Sequence, residues 1–244
     1  MTVGGGMPRH IIAVTSLARE ALIARGNGVS VICSQSCRLS AALKGALSPG
    51  VCGIISFGIS GGLHPELVAG DWVVASAVRY GDRVFATDSK WTQELAKRLP
   101  GAILAEVAGS DVLLATPVAK AHLYKTMGAA AVDMESHISA EIAATHGIPF
   151  ASCRVIIDSA YRYTSSRHDP GVGLERRGGC SCGDAIRHSE AMPTPGPHSR
   201  CVRRLLRGAR PKKGSKAVGS WIGVSFLQGT CRPTRIRRPA EHGV

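Results

Sequence analysis

The chain has 244 residues, 44% of them hydrophobic and 19% charged, a balance that suits a soluble globular protein with a sizeable core. Its formal net charge of +13 sits at one end: residues 1–161 hold 13 Lys+Arg against 12 Asp+Glu, and residues 162–244 hold 17 against 5, so the globular part is nearly neutral and no specific nucleic-acid partner is expected. No stretch reaches the roughly 18 apolar residues of a membrane span, and no N-terminal apolar run suits a signal peptide, so a cytoplasmic enzyme is the expectation.

Residues 1–8, MTVGGGMP, read as a disordered start. HIIAVTS (10–16) is a short apolar, β-rich run and reads as a buried strand. LAREALIARG (17–26) follows with helical spacing of Leu17, Ala21 and Ala24 and a Gly26 stop. VSVICS (29–34) is a second strand, and a helix over Cys37–Leu47 is closed by Pro49-Gly50. Val51–Phe57 is too apolar for a strand exposed on one side, so helices are expected on both sheet faces. It runs into Gly58-Ile59-Ser60-Gly61-Gly62, which reads as a Gly-rich ligand loop, although neither the Walker nor the dinucleotide spacing is present. WVVASAV (72–78) and a short partner, RVFATD (83–88), are strands, and Ser89–Leu99 is a helix. AILAEVAGSD (102–111) is a strand ending in a polar turn, Gly109-Ser110-Asp111, and Pro117 opens a helix that runs to Thr126.

Residues 129–161 carry most of the chemistry. AAAVDM reads as a buried strand with Asp133 and Glu135 at its exit, and a helix with an apolar stripe of Met134, Ile138 and Ile142 follows. FASCRVIID (150–158) is a second strand, closed by Asp158. The alternation predicts an α/β fold in three layers, a mostly parallel or mixed central sheet with helices on both faces. In such sheets, carboxylates at strand ends lie where ligands bind. Asp133 is expected to be structural, paired with Arg154, and Glu20 taken alone reads as a solvated helix acid. Cys33, Cys37, Cys52 and Cys153 lie in or near apolar segments and read as buried reduced thiols, and no spacing marks a metal site.

After Tyr161 no period of 2 or 3.6 is sustained, and Arg, Gly, Pro, Ser and Cys dominate. Residues 162–244 are therefore expected to be a basic, disordered tail. The favoured origin is out-of-frame translation of a GC-rich gene. The competing reading is a nucleic-acid-binding or anionic-membrane tail.

The order GISGGL, GDWVVAS, AGSD, VDMES, HGIPF and RVIID resembles the purine nucleoside phosphorylase/nucleosidase superfamily over about residues 9–161. It is closest to the adenosylhomocysteine–methylthioadenosine nucleosidase branch and, within that, to the hopanoid-associated phosphorylase subgroup, which is similar to enzymes that remove adenine from adenosylhopane. The resemblance implies a homodimer acting on a purine nucleoside without a cofactor, with inorganic phosphate as co-substrate if the enzyme is a phosphorylase. It implies that Met134 packs under the ribose and that Glu135 accepts from both ribose hydroxyls, as two acceptor oxygens allow. Asp158 would be the general acid at purine N7, its protonation aided by the apolar run before it. Glu20 would activate water, Ser60 and Gly61 would line the sugar and water or phosphate site, and Leu113 and Leu114 would flank the purine. Leu113 stands where relatives often have Phe, and Ile157 where they have Ser. No Arg suits a phosphate, so hydrolysis is favoured over phosphorolysis. The family also continues past this acid into a helix that closes the site, and residues 162–244 offer no convincing counterpart. A lipid-linked substrate would need a wide apolar mouth.

Overall fold

The computed structural model describes residues 9–162 and Leu227. The readings made for residues 1–8 and for the basic tail fall outside the described residues, Arg162 and Leu227 apart. The apolar runs form strands β1 (His10–Thr15), β2 (Val29–Cys33), β3 (Val51–Gly62), β4 (Trp72–Tyr80), β5 (Arg83–Ala86), β6 (Ile103–Gly109), β7 (Ala131–Asp133) and β8 (Phe150–Asp158). Between them lie helices α1 (Ala18–Ala24), α2 (Ser36–Ala46), α3 (Ser89–Arg98), α4 (Pro117–Met127) and α5 (Ser136–His146). Side chains stop the frayed ends: Asp88 caps α3 by accepting from Trp91 N, and Thr116 caps α4 by accepting from Ala119 N.

One mixed sheet holds all eight strands, in the order β2-β1-β3-β7-β6-β4-β5, with β8 pairing with both β3 and β4. That double pairing closes β3, β7, β6, β4 and β8 into a ring. Helices cover the sheet as two separate cores. Leu39 and Leu43 of α2 and Ala140, Ile142 and Ala143 of α5 pack with Ile54, Val73 and Ile156. Ala24 of α1 and Trp91 and Leu95 of α3 pack with Ile11, Ile55, Phe57 and Leu227. The expected α/β architecture with helices on both faces is present.

Three expectations need correction. Gly58–Gly62 is the end of β3 rather than a loop: it pairs with β8 from Gly58↔Arg154 to Gly61↔Asp158, with a one-residue register shift between Ser60 and Gly61. Its glycines serve close side-chain approach, since a Cβ on Gly58 would stand 2.6 Å from Glu20 Oε1 and 2.9 Å from Arg154 Nη1. The β7–α5–β8 unit is not a parallel crossover, because β7 is antiparallel to β3 and β8 is parallel to it. Of the four cysteines, Cys153 is a buried thiol, Cys33 and Cys37 are thiols exposed on the edge strand and its following helix, and Cys52 is disulfide-bonded.

The register brings the functional segments together. Gly61 of β3 pairs with Val132 of β7 on one side and with Asp158 of β8 on the other. The ends of β7 and β8 therefore meet across β3, although the strands run in opposite directions.

Candidate active site

A cavity of about 180 Å³ opens at this meeting point. Ser60 and Gly61 line it from β3, Met134 and Glu135 from the turn after β7, and Asp158 from the end of β8. Leu113 and Leu114, from the segment between β6 and α4, form another wall. Seven of the eight residues singled out in the sequence thus share one hollow. The eighth, Glu20, is 2% exposed and lies behind the wall rather than in it. It accepts from the backbone N–H of Ile59 at 2.9 Å, and from those of Ser16 at 3.0 Å and Leu17 at 2.9 Å. Ser16 and Ile59 themselves line the cavity, so Glu20 fixes the two backbone segments that flank it.

Each acid has its own surroundings. Asp133 accepts from the backbone N–H of Glu135 and Ser136 at 3.1 and 2.9 Å, and from the Ser136 hydroxyl. Its Oδ2 lies 2.5 Å from Arg154 Nε. Arg154 is fully buried and also donates to Ser56 and Ser136. A buried guanidinium needs such a carboxylate, so Asp133 and Arg154 form a structural pair that starts α5 and orients the turn carrying Met134 and Glu135.

Glu135 is buried, and its carboxyl is pushed up to about 7. Burial is the main cause; the attraction of Arg154 offsets part of it, while the charges of Asp133 and Glu20 add to it. The Glu20 carboxylate therefore acts on Glu135 electrostatically, across the cavity wall.

Asp158 is held by a residue with no sequence signal. Lys120 is fully buried in α4, and its Nζ lies 2.5 Å from Asp158 Oδ2 and 3.1 Å from the carbonyls of Ser159 and Arg162. Three ammonium hydrogens thus meet three acceptors. Asp158 Oδ1 turns the other way, toward Gly61: a Cβ there would stand 3.3 Å from it. Oδ2 is thus held by a fixed cation, while Asp158 itself lines the cavity. Among the described residues the lining carries three carboxylates, Asp133, Glu135 and Asp158, and neither Lys nor Arg. Two lining hydroxyls differ in state: Ser16 Oγ donates to Glu20, while the buried Ser60 Oγ has no hydrogen-bond partner among the described residues. Also among the described residues, no three His, Cys, Asp or Glu side chains gather as a metal site, and no helix is long and apolar enough to cross a membrane.

The model of the phosphorylase superfamily matches residues 12–170. The chain belongs to the phosphorylase superfamily. That span contains every site residue described above. A 5′-methylthioadenosine/S-adenosylhomocysteine nucleosidase of Treponema pallidum is 26% identical over 120 residues, which are 44% of this chain and 45% of that protein. The chain thus spans under half the length of the curated relative it matches. A nucleosidase of the same name from Helicobacter pylori superposes with a TM-score of 0.56 at 19% identity, over 64% of this chain and 88% of that one. The Colwellia psychrerythraea nucleosidase, solved with adenine, gives 0.57 at 18% identity over 64% and 84%. A Helicobacter pylori futalosine hydrolase gives 0.54 at 17% over 63% and 87%. These superpositions show a shared fold.

Proposed function

We propose that the chain hydrolyses the N-glycosidic bond of a purine nucleoside and releases adenine. The observation that carries this reading is the convergence of Glu135 and Asp158 on one hollow beside the buried Glu20. In this reading Met134 packs under the ribose and Glu135 accepts from its two hydroxyls, while Leu113 and Leu114 flank the base. Asp158 takes up a proton from solvent on Oδ1 as the nucleoside binds and passes it to purine N7, and the Lys120 ammonium on Oδ2 stabilises the carboxylate left behind. The C1′–N9 bond breaks with its electron pair going to the base, which leaves neutral. Water at the Ser60–Gly61 wall attacks C1′, its proton passing to the Ser16 hydroxyl as that hydroxyl gives its own proton to Glu20 behind the wall.

Water is favoured over phosphate because, among the described residues, the lining presents neither Lys nor Arg to hold a phosphate dianion. The 5′ substituent is proposed to be apolar: Val112 and Leu113, 68% and 50% exposed, form an apolar rim. Methylthioadenosine is the small case and adenosylhopane the extreme one, the latter placing the enzyme in hopanoid biosynthesis. The same reading takes a cytoplasmic homodimer without cofactor, with residues 9–161 as the catalytic unit. Product analysis with adenosine, methylthioadenosine and adenosylhopane, each with and without phosphate, tests it. Free ribose-type product and adenine without phosphate are expected. A sugar 1-phosphate formed only with phosphate overturns the hydrolytic reading, and no adenine from any of the three overturns the assignment.

A further inference from the structure

The polar turn Gly109-Ser110-Asp111 takes no part in the chemistry above, yet it is anchored to three other elements just before the cavity-lining residues Val112–Leu114. Ser110 N donates to the Asp133 carbonyl at 2.9 Å, which ties the turn to β7. At the next residue, Asp111 reaches two side chains from other elements. Oδ2 accepts from the hydroxyl of Tyr80, the last residue of β4, and Oδ1 lies 3.2 Å from Nε2 of His137, in the first turn of α5. The Tyr80 and His137 rings stack at 4.3 Å between centroids and 18° between planes. Arg83 lies over the other side of Tyr80 at 5.2 Å and pairs with Glu141 of α5, so the stack is braced from β5.

The proton arrangement of His137 follows from its surroundings. Its Nδ1 is buried with no hydrogen-bond partner among the described residues. With the proton on Nε2, the ring donates to Asp111 and leaves only an acceptor unsatisfied. Gly109 makes the ring's approach feasible, because a Cβ there would stand 2.4 Å from His137 Cβ. The Tyr80 hydroxyl is the main influence that holds the Asp111 carboxyl below the usual range; burial opposes it and His137 assists it.

We infer that Tyr80, Asp111 and His137 form a positioning latch that holds the segment Val112–Leu114 against the base end of the ligand. These three are positioning residues: they touch one another, and Asp111 directly precedes the segment, while Val112, Leu113 and Leu114 line the cavity. Val112 and Leu113 are largely in solvent, and Leu114 packs against the small cluster of Leu63, Ala108, Ala129 and Val132, so apolar packing holds one end of the segment only. Its place is otherwise set by polar anchors at Ser110, Asp111 and the Thr116 cap. The inference rests on the nucleosidase reading only in naming the purine as the group this wall meets.

The test compares full-length wild type with Tyr80→Phe, His137→Leu and His137→Gln. Amide hydrogen exchange over residues 109–116 is read by mass spectrometry, and KM and kcat are read from adenine release. Tyr80→Phe and His137→Leu, each removing one hydrogen bond to a carboxylate, are expected to speed exchange in the segment about tenfold and to raise KM about tenfold, with kcat within about twofold. His137→Gln, whose side-chain amide can still donate to Asp111, is expected to restore both. Unchanged exchange in Tyr80→Phe and His137→Leu overturns the latch whether or not the enzyme is active. Faster exchange with unchanged KM overturns the placement of this wall against substrate. Wild type that releases no adenine refutes the nucleosidase reading, and the exchange arm still decides the latch. Asp111→Asn, at an exposed position, replaces any ring variant that fails to fold and is expected to behave as Tyr80→Phe.

Discussion

Replacing Glu135 with Gln should stabilise the fold, by an amount that grows as pH rises from about 4.5 to about 7. The Glu135 carboxyl is pushed up from 4.5 to about 7, mainly by burial. Between those values the folded protein keeps a proton that the unfolded chain has released. Raising the pH through this window therefore removes stability, and above about 7 the loss is complete. A shift of this size corresponds to a ceiling of about 3 kcal/mol. Glu135→Gln keeps the side chain's shape and removes the titration. The stability gap between variant and wild type should be near zero at about pH 4 and approach about 3 kcal/mol at about pH 9. Urea unfolding followed by far-UV circular dichroism at several pH values measures the gap, and taking the difference cancels the other titrating groups. A gap that stays flat with pH would refute the claim that Glu135 is held uncharged by its surroundings.

Asp158→Asn removes the proton carrier while keeping its hydrogen-bonding shape, and adenine release should fall on the order of 10²–10⁴-fold, read by chromatography of the free base. Arg154→Met leaves the Asp133 carboxylate buried without its cation and should cost about 3–5 kcal/mol in urea unfolding, most of which Asp133→Asn in the same chain should recover. Gly53→Ala would set a Cβ 2.0 Å from the Trp91 indole, and overpacking of this kind should cost about 1–3 kcal/mol in the same measurement, with a change in Trp91 fluorescence.

The main elements were legible because apolar runs and Gly/Pro breaks mark them directly. The acids were legible for a local reason as well: Asp133, Glu135 and Asp158 sit at or just beyond the ends of apolar strands, where a carboxylate needs either a buried cation, as Asp133 has in Arg154, or a ligand. What the sequence concealed depends on contacts between distant residues. Five residues containing three glycines read as a turn, because nothing local shows that Glu20, Arg154 and Asp158 crowd that strand. Lys120 looks like any helix lysine, and only the fold buries it 38 residues upstream of its partner. Asp111 meets Tyr80 and His137 across 31 and 26 residues, a relation that no periodicity contains. The opposite directions of β7 and β8 were hidden because a strand–helix–strand pattern does not specify which neighbour each strand takes, and β8 takes both β3 and β4.

The surroundings of the acids carry a further consequence for pH. Asp133 is committed to Arg154 and to the start of α5, Asp158 to Lys120, and Glu20 to three backbone amides. Glu135 differs, since burial outweighs the attraction of Arg154 and leaves it titrating at about 7. Two ribose hydroxyls need two acceptor oxygens, which only the ionised form supplies. KM for a nucleoside should therefore fall as pH rises through about 7, by about tenfold per unit on the acid side, and level off above it. The same profile for Glu135→Gln should be flat there, with KM high throughout. A wild-type profile flat between about pH 5.5 and 8.5 would show that the ribose is held by something other than this carboxylate.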